Sequence, residues 1–188
     1  MLVHMNNQPS AQIDHAANIE NISRVRTVES CRETLGEEHP ETLSAMQELA
    51  VRFRKQGRLT WARSLFERTL AIQRRELGTT HLDVVSNEEN LSKTLLALGE
   101  FDGARVLLER VVRVRRLSLG QMHPLTLSAM SELAEILCTQ GEFETASALQ
   151  EFILDARIRV LGEEHPDTML AEDELYETLL EMGAFHIY

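Results

Sequence analysis

Gly36, Gly78, Gly120 and Gly162 recur at intervals of 42 residues, and each is followed three positions later by a histidine, at His39, His81, His123 and His165. A second glycine series, Gly57, Gly99, Gly141 and Gly183, keeps the same interval. A fixed period of this size marks a chain built from stacked copies of one supersecondary unit. Two stops per period make that unit a helical hairpin.

The stretch from Leu35 to Gly78 shows how the residues produce the hairpin. Helix A starts at Pro40, whose fixed φ and missing amide hydrogen suit a first helical turn, with His39 at the preceding cap position. Leu43, Met46, Leu49, Ala50 and Phe53 follow at three-and-four spacing and form one apolar stripe. Gly57 ends the helix by allowing a left-handed backbone. Helix B carries its stripe at Leu59, Ala62, Leu65, Phe66, Leu70, Ile72 and Leu77, and stops at Gly78. Each helix is about 17 residues, roughly 25 Å at the rise of an α-helix.

The other copies keep these positions. Val85, Leu91 and Leu95 repeat the helix A stripe in the second unit, and Leu127, Leu133 and Leu137 in the third. Ala62, Ala104 and Ala146 place a small residue on helix B, opposite Ala50, Ser92 and Ala134 on helix A, so that two helix axes approach to about 8–10 Å. In the last copy the helix A position is Tyr176, where no helix B follows.

These residues resemble the tetratricopeptide repeat in its long, 42-residue form, found in kinesin light chains and related proteins. The resemblance rests on the Leu49–Ala50 pair, the helix B alanines and the LGxxHP connectors, and runs from about residue 20 to residue 183. It implies an all-α fold: a right-handed superhelical solenoid of antiparallel helix hairpins. Helices are expected at about 18–35, 40–56, 60–77, 82–98, 102–119, 124–140, 144–161 and 166–182. Residues 1–17 show no period and read as a disordered lead, and 184–188 as a tail.

Composition agrees with one array. A chain of 188 residues with 43% hydrophobic content can bury a continuous core between neighbouring repeats. No apolar run approaches the roughly 18 residues of a membrane span, and the polar start MLVHMNNQPSAQ lacks the charged beginning and apolar centre of a secretion signal. A cytoplasmic or nuclear location is expected. Cys31 and Cys138 are too far apart along a stack to pair, and reduced thiols fit that compartment.

The residues point away from chemistry. Metal ligands converge on one ion at bonds of about 2 Å, whereas histidines one hairpin apart stand roughly 16–20 Å from one another. Each histidine therefore reads as a helix cap, and no metal or cofactor is expected. Glu37, Glu38, Glu163 and Glu164 read as first-turn carboxylates near positive helix ends. The phosphate-binding, dinucleotide, metalloprotease and serine-hydrolase motifs are missing, and Cys138 has no histidine one turn away. The chain does not read as an enzyme.

What remains is a surface of uneven charge. Helix B is rich in arginine, including Arg63, Arg68, Arg74, Arg75, Arg105, Arg110, Arg113, Arg115, Arg116, Arg157 and Arg159. Helix A leans acidic, and from Glu163 to Gly183 there are eight acids and no lysine or arginine. One reading pairs these acids with neighbouring helix B arginines; the other leaves them facing a ligand. In the resembled family helix A lines the concave face, which carried over position by position makes Gln47, Val51, Arg54 and Lys55 groove residues of the first hairpin. Glu89, Asn90, Lys93 and Leu96 follow in the second, Ser131, Glu135 and Cys138 in the third, and Asp173 and Glu177 on the end helix. The family's backbone-holding asparagines are replaced here by Gln47, Glu89, Ser131 and Asp173. An acidic groove repels an acid-flanked peptide and selects basic or amphipathic segments.

The expected function is an interaction module holding another protein or peptide in its groove. The net charge of −11 disfavours nucleic acid, which needs a basic stripe. Self-association through open repeat ends, and a regulatory segment of a larger signalling protein, are the alternatives.

Overall fold

The computed structural model describes residues 9–183. Among them eight α-helices follow one another without a strand: α1 (Pro9–Leu35), α2 (Pro40–Lys55), α3 (Leu59–Leu77), α4 (Leu82–Ala97), α5 (Phe101–Ser118), α6 (Pro124–Thr139), α7 (Phe143–Leu161) and α8 (Pro166–Glu181). The chain divides into two compact units, Met1–Ile72 and Gln73–Tyr188. No helix of the described residues is long and apolar enough to cross a membrane.

The connectors work as the sequence suggests. His39, His81, His123 and His165 each sit in extended backbone, and each Nδ1 accepts the amide N–H two residues on, at 3.3, 3.2, 3.2 and 3.1 Å. The imidazole thus satisfies one of the open donors of the first turn. A second lock repeats beside it. Thr42, Thr126 and Thr168 donate their hydroxyls to the carbonyls of Gly36, Gly120 and Gly162 at 2.8, 2.9 and 2.8 Å. Val84 occupies the same place in the second repeat, fully buried and without a hydroxyl. Gly57 and Gly78 take φ of 73° and 81°, the left-handed region that a side chain disfavours.

Several boundaries differ from expectation, most by a single residue. Helix α1 starts at Pro9 rather than near Asn18, so residues 9–17, expected as disordered lead, are helical. Pro9 suits a first turn, and Ala11, Gln12, Ala16 and Ala17 favour helix without obeying the 42-residue period. Residues 1–8 and the expected tail 184–188 lie outside the described residues. The helix B elements α3, α5 and α7 each start one residue early, on Leu59, Phe101 and Phe143.

In the first unit, Leu43, Met46, Leu49, Ala50 and Phe53 of α2 are buried together with Ala62, Phe66 and Leu70 of α3. The Phe53 and Trp61 rings lie 6.4 Å apart. Asn21 joins α1 to α2, donating to Gln56 Oε1 at 2.7 Å and accepting from Arg52 Nε at 3.1 Å. The second unit has a continuous core of Val85, Val111, Val112, Leu127, Met130, Ile153 and Ala171 with their neighbours. Each buried side chain of this set larger than alanine contributes about 1.5–3 kcal/mol of transfer free energy. Ser92, Ala104, Ala134 and Ala146 are essentially inaccessible, as close helix contact requires. Tyr176, at the corresponding place on α8, is half exposed.

Candidate peptide-binding surface

In the first unit, Gln47, Val51, Arg54 and Lys55 fall on one stripe of α2, because residues four and seven or eight apart share a helix face. The first three are partly buried and Lys55 is exposed. Arg54 Nε is buried with no hydrogen-bond partner.

In the second unit the corresponding side chains divide into two groups. Glu89, Asn90 and Lys93 of α4 belong to the framework. Lys93 Nζ bridges Glu89 Oε1 at 2.8 Å and Glu132 Oε1 on α6 at 2.9 Å. Arg115, buried on α5, donates to Glu89 and to the Leu125 carbonyl, the latter at 2.9 Å. Asn90 turns back to the Ser86 carbonyl at 3.1 Å. Burial is the largest influence on Glu89 and pushes its carboxyl up, but Lys93 and Arg115 together outweigh it and hold the group below its ordinary value. Burial likewise pulls Lys93 down, and its two carboxylate partners carry it above the usual lysine range. Glu132 ends up raised, through burial and the adjacent Glu89 against the pull of Lys93.

The helix B arginines are largely engaged by acids. Arg68 pairs with Glu37, Arg63 with Glu67, Arg105 with Glu109 and Glu142, and Arg74 and Arg110 with Glu88. Apart from the two pairs to the buried Glu88, these exposed pairs contribute little, but together they leave few of these cations free.

The second group surrounds an open space. Ser131, Glu135 and Cys138 of α6 and Glu177 of α8 line one cleft of about 680 Å³, closed on its third side by Phe143 and Gln150 of α7. Glu174, Thr178, Leu180 and Glu181 complete the α8 wall. Asp173, exposed on α8, is not part of it. Cys138 Sγ lies 3.3 Å from Thr178 Oγ1, which donates to the Glu174 carbonyl at 3.0 Å. Gln150 Nε2 donates to the same carbonyl at 3.3 Å. Burial, helped by Glu135 and Glu177 and opposed by Arg157, raises the Glu174 carboxyl above its ordinary value. Arg157 itself is held at Ser131 Oγ and the Asp167 carbonyl, at 3.2 and 2.8 Å.

Glu132 and Glu174 are among the helix A acids of the sequence but lie outside the groove positions carried over from the family, although a signal for both was present. They stand 42 and 84 residues after Asn90, so the period that singled out Asn90 also reaches them. Gln150 lies on helix B, outside the face carried over from the family. Chemically, a cleft walled by four carboxylates, two hydroxyls and an amide is a place for a cation or a multiple hydrogen-bond donor.

Comparison with known proteins places this architecture. Family models described as tetratricopeptide repeat match residues 53–116 and 126–167. No curated protein sequence matches the chain. Among solved structures, the nearly identical TPR-like repeats of a kinesin-light-chain candidate from Podosopora anserina superpose with a TM-score of 0.81 at 27% identity, over 92% of this chain and 82% of that one. A variant of the same protein gives 0.82 at the same identity and coverage. BtubC (BKLC) from P. vanneervenii shares the fold, with a TM-score of 0.80 at 16% identity over 92% of this chain and 68% of that one. The chain is an all-α repeat protein of the solenoid class, similar in structure to kinesin-light-chain repeats, and belongs to the tetratricopeptide-repeat family.

Proposed function

We propose that the chain is a non-catalytic, cytoplasmic interaction module that binds a basic or amphipathic segment of another protein on the acidic helix A faces of its second unit. Tetratricopeptide repeats are in general protein-interaction modules, and the finer reading is supported by one observation above the rest. The cleft of α6, α7 and α8 is walled by Glu135, Glu174, Glu177 and Glu181, and no lysine or arginine lines it. Clustered like charge raises the local concentration of an oppositely charged partner and selects against acidic ones.

The test is fluorescence anisotropy with an amphipathic basic helix of lysine and leucine as probe. Glu135 and Glu177 are exposed, so Glu135→Lys with Glu177→Lys changes the surface without opening the core. Binding should fall about tenfold or more in the double variant, and raising salt from 0.1 M toward 1 M, which shrinks the screening length from about 10 to 3 Å, should weaken the wild type. Unchanged affinity and no salt dependence would refute the reading. Glu89 is unsuitable for reversal, since a lysine there would face Lys93 and Arg115.

Self-association is a second reading, favoured by Met169, Leu170, Tyr176 and Leu180, all exposed on α8. Light scattering over a concentration series separates it from a monomeric binder.

A further inference from the structure

The acids alone do not define a ligand; Gln150 adds the second constraint. Its side chain is 5% exposed and lines the cleft, and its Oε1 has no hydrogen-bond partner. The amide is not free to turn, because Nε2 is committed to the Glu174 carbonyl. An acceptor buried without a donor costs about 1–3 kcal/mol, and a fold keeps one most readily where a ligand supplies the missing hydrogen.

We propose that this cleft is an arginine-reading subsite, taking one guanidinium side chain of a protein partner between the α8 carboxylates and Gln150, with the Phe143 ring as its apolar wall. The inference rests on the interaction-module reading and names its anchor. Three features select this cation. Among the described residues no group of carboxylates converges closely enough to hold a metal ion, so the charge of the cleft suits a larger organic cation. The acceptors come from three helices, which fits the five N–H donors of a planar guanidinium better than the compact, strongly hydrated ammonium of lysine. Phe143 adds an aromatic surface, and guanidinium groups stack on such surfaces. Burial first, and then the neighbouring Glu135 and Glu177, raise the Glu174 carboxyl against the pull of Arg157, and a cation seated in the cleft would act in the same direction as Arg157.

The experiment is an amide NMR titration of the full chain with three capped tripeptides, acetyl-Gly-X-Gly-amide, where X is arginine, lysine or citrulline. Citrulline keeps the shape of arginine and removes its charge. Saturable shifts confined to residues 131–150 and 174–181, with arginine about fivefold or more tighter than lysine and citrulline without saturation, are expected; a fivefold ratio corresponds to about 1 kcal/mol. Gln150→Met, similar in length but without the acceptor, should weaken arginine binding severalfold. Phe143→Leu, which keeps the wall apolar, should reduce the preference for arginine over lysine. Equal shifts for arginine and lysine, or shifts spread along 163–173, would overturn the assignment. Free L-arginine in a fourth titration distinguishes a metabolite site: tighter binding than the capped peptide would also overturn it. Should the tripeptides be silent while the lysine–leucine helix still binds, the subsite falls and the module reading stands; silence toward both removes both.

Discussion

Arg110 on α5 donates to the carboxylate of Glu88 on α4, an acid with no exposed surface. Arg74 reaches the other oxygen at 2.6 Å through Nη2, and Arg110 also holds the Thr79 carbonyl. A single buried charge therefore ties α4 and α5 to the end of α3 and the connector that follows it. Removing one partner of a buried pair costs more than the pair itself contributes, because a desolvated charge is left behind.

From that relationship Arg110→Met should destabilise the second unit by about 2 kcal/mol, below the usual 3–5 because Arg74 remains. Glu88→Leu should cost less, about 1 kcal/mol, since both guanidinium groups can regain water. Urea unfolding midpoints of the two variants give the order directly.

The bridge from Glu89 through Lys93 to Glu132 makes stability depend on pH in two opposed ways. Glu132 is raised above 4.5 in the folded chain, so its contribution is full below that value and lost as pH rises through the folded pKa. Glu89 is lowered from 4.5, so its contribution is present above that value and lost as pH falls through its folded pKa. Glu132→Gln should therefore raise the thermal midpoint at pH 7 and leave it unchanged at pH 3. Thermal melts across that range decide the matter, and a neutral-pH decrease would contradict the assignment.

Two glycines of unlike geometry should respond in opposite directions. Gly57 has φ of 73°, and an alanine there should cost about 1 kcal/mol although nothing lies near its Cβ. Gly103 lies inside α5, and a Cβ there meets only Leu95 Cδ1 at 3.3 Å, the end of a flexible side chain. Gly103→Ala should be neutral or stabilising by up to about 1 kcal/mol through helix propensity. Denaturant titration distinguishes the two.

The threonine lock offers a test by transplantation. Val84→Thr should recreate the hydroxyl contact to the Gly78 carbonyl and stay within about 0.5 kcal/mol of the parent, whereas Thr126→Val should lose about 1 kcal/mol. A large loss on Val84→Thr would show that the second connector differs from its three counterparts.

The hairpins were legible because glycine, proline and histidine act locally. A glycine at φ near 75° or a histidine capping its own second-next amide needs no information from the rest of the chain. Helix α1 was misread at its start because its first turns follow ordinary helix propensity and ignore the period. The candidate binding face was only partly legible. Glu89 and Glu135 look alike in sequence, yet Arg115 and Lys93 absorb the first while the second faces open space. That choice depends on Arg115, 26 residues away in sequence, as well as on the local Lys93. Gln150 was invisible for the same reason, since its burial and its orphaned oxygen follow from how α7 packs against α8.

The central claim is that this acidic surface selects cationic protein segments. The most direct measurement is capture of a charge-biased peptide array by the monomeric chain at two salt concentrations. The account expects basic and amphipathic peptides to be retained at low salt and released at high salt, with acidic peptides ignored throughout. Capture of acidic peptides, or capture indifferent to salt, would contradict it.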